Sequence, residues 1–164
     1  LQAAVLAGLL APVSTVQVNL INAPGLARER GLSITEQRNT VSREYTSIVS
    51  ATLETTEGNI TLAGTSMRVE PHIVKVNDHW LDIVPNTPYL LFVDNQDQPG
   101  SIGAVGTIAG HHNINISFME VGRLKLRGRA MMVIGVDDPV PPDVLAEIQS
   151  LSHIYNVRLA NLVS

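Results

Sequence analysis

Hydrophobic positions follow a helical rhythm at the start of the chain and a two-residue rhythm further on. In Leu1 to Leu10, Ala3, Leu6, Ala7 and Leu10 recur at helical spacing among good helix formers, which predicts a helix that Pro12 stops. Val16 to Arg30 predicts a second helical stretch, broken or restarted at Pro24, with Gly31 as a left-handed cap. From Ser47 to Glu54 apolar and polar residues alternate and β-branched types are frequent, as on a half-buried strand. Glu57, Gly58 and Asn59 turn the chain into a partner strand, Ile60 to Met67. Arg68 to Val76 and His79 to Val84 predict another strand pair around Asn77 and Asp78.

Pro85 and Pro88 restrict themselves and their predecessors to extended or turn geometry, which sets the expected boundary between a first domain, 1–86, and a second, 87–164. Beyond it, Tyr89 to Asn95 reads as a strand. Gly100 to Asn113 reads as a helix with Ile102, Val105, Ile108 and Ala109 on one face. Ile114 to Leu124 is a strand with Ile114, Ile116 and Phe118 on one side, and Arg129 to Val136 is the next. Pro141, Pro142 and Asp143 open a helix whose Val144, Leu145, Ile148 and Leu151 share a face, and Ile154 to Leu162 closes as a strand. The order βαββαβ predicts a ferredoxin-like layer: an antiparallel four-stranded sheet with both helices on one side, in a chain of α+β class. The other sheet face needs cover or solvent. Such domains pair through strand edges or helices, so a homo-oligomer is expected.

Composition narrows the choices. The 164 residues suffice for one ordinary domain or two small ones, and 45% hydrophobic residues supply a core. Aromatics are only 4%, so that core is aliphatic, with Trp80, Phe92 and Phe118 as its rare large pieces. A net charge of −4 without a basic run argues against nucleic acid and against an anionic membrane surface. The absence of cysteine excludes disulfides, thiolate catalysis and cysteine-held metals within these residues, and fits a cytoplasmic protein. Leu1 to Ala11 is too short to span a bilayer and lacks the flanks of a secretory signal. A start at Leu instead of Met leads us to expect a segment of a longer polypeptide.

Candidate chemistry gathers in Asn95-Gln96-Asp97-Gln98-Pro99-Gly100, where a strand gives way to a helix. Pro99 presets the helical entry, and Gly100 permits close approach of a backbone or a ligand. Amides at a helix start favour a carboxylate and the side chain of Asp97 suits an ammonium group, so the loop matches an α-amino acid. Asn115, at the start of the following strand, is expected to return close to that loop and hydrogen-bond the same ligand. A plain helix cap and turn would use the same residues, and spacing by itself leaves both readings open.

A resemblance sharpens the choice. The second half, with VDNQDQPGSIGAVGTIAGHHNINISFMEVGR, resembles the ACT domain, an amino-acid-binding regulatory module. The first, with VNLINAPGLARERG and LAGTSMRVEPHIVKVNDHWLDI, resembles the intervening allosteric substrate-binding domain of long-form D-3-phosphoglycerate dehydrogenases. The resemblance implies L-serine as a feedback effector at an interface between two ACT domains, held by Asn95, Asp97 and Asn115. It implies an NAD-dependent catalytic part elsewhere in the parent enzyme. Relatives often carry His or Tyr at the position of Asn95.

Within the chain itself no catalytic residues and no cofactor are expected: no GxGxxG fingerprint occurs, and Ser14, Ser66 and Ser101 have no identifiable base. The resemblance also suggests an anion site in the first half. Arg43, Arg68, His72 and Lys75 are its candidates, and ordinary solvated side chains on a sheet would look the same. The five histidines show no ligand spacing, so no metal is expected. Two other readings stay open: an assembly module without effector, and the β part of an iron–sulfur L-serine dehydratase, which resembles the same pair of domains.

Overall fold

A computed structural model describes residues 1–37, 45, 47–56 and 58–162, which belong to two compact units, Leu1–Glu44 and Tyr45–Ser164. In the first unit, helix α1 (Gln2–Leu10) continues into a 3-10 turn, Ala11–Val13, where Pro12 interrupts the helical ladder. The helical stretch expected from Val16 shrinks to α2, Ala23–Glu29. The side-chain oxygen of Asn19 accepts the Ile21 and Asn22 amides at 2.9 and 3.0 Å, and that of Asn22 accepts the Asn19 amide at 2.8 Å. Such side chains divert backbone donors into turns, which delays the helix until Pro24 enters its first turn. Gly31 takes φ 73° and the Leu32 amide reaches back to the Ala27 carbonyl at 3.0 Å, so the expected left-handed cap is present. Leu6, Leu10, Ala23 and Ala27 form a small core in this unit.

The second unit holds two four-stranded sheets. Strands β1 (Val49–Thr55), β2 (Gly58–Met67), β3 (Glu70–Val76) and β4 (His79–Ile83) make an antiparallel meander in that order. Of the expected β1–β2 turn, Glu57 lies outside the described residues. Arg68 and Val69 turn β2 into β3 with φ of 50° and 72°, and Asn77, at φ 51°, opens the turn into β4. The Asn77 side chain accepts the Thr61 amide at 3.0 Å and ties that turn to β2.

Next come β5 (Tyr89–Gln96), α3 (Ser101–His111), β6 (Ile116–Arg123), β7 (Arg129–Val136), α4 (Pro142–Gln149) and β8 (Ile154–Asn161). They form an antiparallel sheet of order β6-β7-β5-β8, the ferredoxin-like arrangement expected from the element order. Val105, Ile108 and Ala109 of α3 and Val144 and Ile148 of α4 share one core with Leu91, Val93, Met132, Ile134 and Val136 of the sheet. Ile102, grouped with them by spacing, is instead exposed, because Ser101 takes the buried first-turn position in the stripe that continues to Val105, Ile108 and Ala109.

The opposite sheet face is covered from within the chain. Val76, Leu81 and Ile83 of β3 and β4 join Leu90, Met131 and Val133 in a second core. Each fully buried aliphatic side chain of this kind contributes about 1.5–3 kcal/mol. A β-carbon at Gly122 would lie 2.8 Å from Leu81 Cδ2 and 2.9 Å from the Trp80 carbonyl oxygen, so its absence lets β4 lie against β6. A bulge between Ile116 and Phe118 reverses the alternation, so Phe118 departs from the side of Ile116 and joins this second core. Trp80, expected inside, is half exposed: it alternates along β4 with buried His79 and Leu81 and therefore faces outward. There it stacks on Tyr45 with ring centroids 6.1 Å apart, and Lys75 Nζ lies 5.3 Å from its ring centroid.

Candidate functional site

Alternation along β5 decides where each residue of the candidate loop points. Asn95 is buried, between Ala130 of β7 and Ile154 of β8. Its Nδ2 donates to the Gln96 carbonyl at 2.9 Å, while its Oδ1 meets no donor among the described residues. Gln96 faces the other way: its Nε2 donates to the Arg127 carbonyl, and its Oε1 accepts the Tyr155 hydroxyl at 2.9 Å. Asp97 leaves the strand at a point where its amide donates to the Gly128 carbonyl at 2.8 Å. Its Oδ2 accepts the Arg127 amide at 3.2 Å and Arg123 Nη1 at 3.4 Å.

Gln96 and Asp97 thus bind the loop before α3 to the β6–β7 hairpin. Pro99 and Gly100 are exposed, and Gly100 at φ 89° is the helix N-cap residue. No side chain caps α3, so Asp97 is not the simple cap that its position allows. The participation of Arg123 and of the Arg127 amide escaped the sequence reading. Both lie about 30 residues beyond Asp97, and only the sheet order brings β6 and the hairpin to the end of β5.

Asn115 does not return to the loop. Both β5 and β6 run antiparallel to β7, so they are parallel to each other, and α3 carries the chain back to where β5 began. Val136 pairs with both Tyr89 and Ile116, whereas Ala130 pairs with both Asn95 and Arg123. Asn115 therefore lies at the opposite end of the sheet from Asp97, about 25 Å away along the strands. Its Nδ2 donates to Asp137 Oδ2 at 2.5 Å, and its backbone carbonyl accepts the Asp137 amide at 3.4 Å.

The candidate anion residues of the first sheet are dispersed. Arg43 lies outside the described residues. Arg68 sits in the β2–β3 turn, Lys75 lies over Trp80, and His72 Nδ1 is 2.6 Å from Asp82 Oδ1. A carboxylate beside His72 disfavours a second anion there. Among the described residues no three His, Cys, Asp or Glu side chains gather as metal ligands. The turn after β5 does not fit a dinucleotide either. Gly100, Gly103 and Gly106 are three apart, and β5 is flanked by antiparallel strands where a dinucleotide turn follows a parallel one.

A βαββαβ layer backed by a four-stranded meander, with Asp97 held at a strand-to-helix junction, defines a protein of α+β class. Residues 1–77 match the D-3-phosphoglycerate dehydrogenase intervening domain, and residues 89–153 match the ACT domain. Across the two matches the chain resembles the C-terminal regulatory part, intervening plus ACT domains, of D-3-phosphoglycerate dehydrogenases. It is 36% identical over 161 residues to the D-3-phosphoglycerate dehydrogenase of Archaeoglobus fulgidus, covering 97% of this chain and 30% of that protein. With the Synechocystis enzyme the identity is 34%, over 95% of this chain and 29% of the relative. For Bacillus subtilis it is 33%, over 97% and 30%. The chain therefore spans a little under a third of these relatives.

Proposed function

We propose that this chain is the regulatory segment of an NAD-dependent D-3-phosphoglycerate dehydrogenase and binds L-serine between two copies of its ACT domain, for feedback inhibition. In this reading residues 1–86 are the intervening domain and 87–164 the ACT domain, coupled through the core that β3 and β4 share with the second sheet. Asp97, Pro99 and Gly100 of one copy face Asn115 of the other, while Asn95 is buried within its own copy behind that loop. The observation that carries the proposal is the position of Asp97: a carboxylate 24% exposed at the end of β5, beside the uncapped start of α3. A carboxylate for the ammonium group and helix amides for the carboxylate are what a free α-amino acid requires.

Because Asn115 lies at the far end of its own sheet, one copy cannot engage a serine with both residues. A twofold pairing along the edge strand β6 runs the two copies of that strand in opposite directions, which brings Asn115 of each toward Asp97 of the other. Serine then shifts the relative placement of the two copies only as far as it binds one arrangement better. The proposed setting is the cytoplasm, and no helix among the described residues is long and apolar enough to cross a membrane.

Isothermal calorimetry with L-serine, run beside sedimentation of the same sample, tests the proposal. Saturable heat from a dimer, lost in Asp97→Asn, is the expected result. A dimer that gives no heat at millimolar L-serine overturns it in favour of an assembly module without effector.

A further inference from the structure

Arg123 is the last residue of β6, and its guanidinium shares Oδ2 of Asp97 with the Arg127 amide. We propose that Arg123 is the specificity-determining residue of the amino-acid site, the group that joins the α3 amides in receiving the α-carboxylate and makes the site select zwitterions. The inference rests on the amino-acid reading above and names a residue which that reading does not use.

Three observations carry it. The Arg123–Asp97 contact is 3.4 Å, longer than the 2.7–2.9 Å of a tight charge-assisted hydrogen bond, so the pair is loosely closed. The Arg123 side chain is 53% exposed, so a ligand can reach it, and its guanidinium has five N–H donors of which one nitrogen meets Asp97. Both bonds to the Asp97 carboxylate fall on Oδ2, and among the described residues Oδ1 accepts no hydrogen bond, which leaves it for an ammonium.

Asp97 by itself attracts any small ammonium ion and repels the carboxylate that an amino acid carries next to it. With Arg123 alongside, the site presents a negative and a positive group in adjacent places, and a zwitterion laid across them in reverse order makes four alternating charges. A bidentate guanidinium–carboxylate contact also fixes orientation, which a single carboxylate cannot do. The site then discriminates against amines that lack the acid group, since they leave Arg123 unanswered and place a second cation beside it.

The test compares L-serine with L-serinamide, which keeps the ammonium group and lacks the carboxylate, by calorimetry on the chain and its Arg123→Gln and Arg123→Lys variants. Wild type is expected to prefer L-serine. Arg123→Gln is expected to weaken L-serine by about 10- to 100-fold, and to bind L-serinamide as well as or better than before, since Asp97 loses its competing cation. Arg123→Lys should recover part of the preference. Equal loss of both ligands overturns the inference, because Arg123 then acts only by orienting Asp97, and so does unchanged L-serine binding in Arg123→Gln. If wild type binds neither ligand the amino-acid reading itself fails, a result distinct from the other two. Thermal unfolding of each variant controls for folding, and an exposed pair of this kind should shift it little.

Discussion

Gly135 of β7 stands across the ladder from Phe118 of β6, and the Phe118 ring fills the space that a side chain at 135 would need. A β-carbon there would lie 2.4 Å from Phe118 Cε1 and 2.7 Å from Ser117 Oγ. The bulge at Ser117 turns Phe118 to this face, so the bulge and the glycine depend on each other. Gly135→Ala is expected to destabilise the chain by about 1–3 kcal/mol. Thermal unfolding should register this as a fall of roughly 3 to 10 °C. An unchanged midpoint would mean that the ring moves aside without cost.

The shared core makes a second expectation. Leu81 of β4 is buried against the second sheet, so Leu81→Ala should cost about 2–4 kcal/mol. The consequence should not stop at the first sheet. Amide hydrogen exchange of Met131 and Val133 in β7 is expected to accelerate together with that of Ile73 and Val76 in β3, because the two sheets lose the same core. Acceleration confined to β1–β4 would show that the sheets open independently.

The separation of Asp97 and Asn115 gives a third. If each site takes Asp97 from one copy and Asn115 from the other, Asp97→Asn and Asn115→Ala chains are each inactive alone and complement one another when mixed. A mixed dimer has one intact site and one doubly altered site. Random equimolar exchange should therefore restore about a quarter of the wild-type binding capacity for L-serine, read as stoichiometry by calorimetry. Continued absence of binding after exchange would rule out sharing across the interface.

The strands were readable because a half-buried strand writes its two faces into alternate residues. His79 to Ile83 carries that alternation, whereas Tyr89 to Val93 is a continuous apolar run because both faces of β5 are buried, and the structure bounds both strands within a residue or two of the expected limits. Helix α3 was legible for the same kind of reason, with its stripe shifted by one residue at the N-terminus. The stretch from Val16 misled because a helical pattern of apolar residues says nothing of the Asn19 and Asn22 side chains that claim the backbone first.

What the amino-acid sequence determined by itself is the order βαββαβ, the aliphatic core and the acidic loop at Asp97, because these follow from local propensity, period and residue chemistry. Which residues meet across the sheet was decided only by the tertiary structure. Crossover direction sent Asn115 to the far end of its sheet, the bulge turned Phe118 onto Gly135, and strand order brought Arg123 to Asp97. Residues far apart in sequence become neighbours through pairing and register, and no local pattern records its partner.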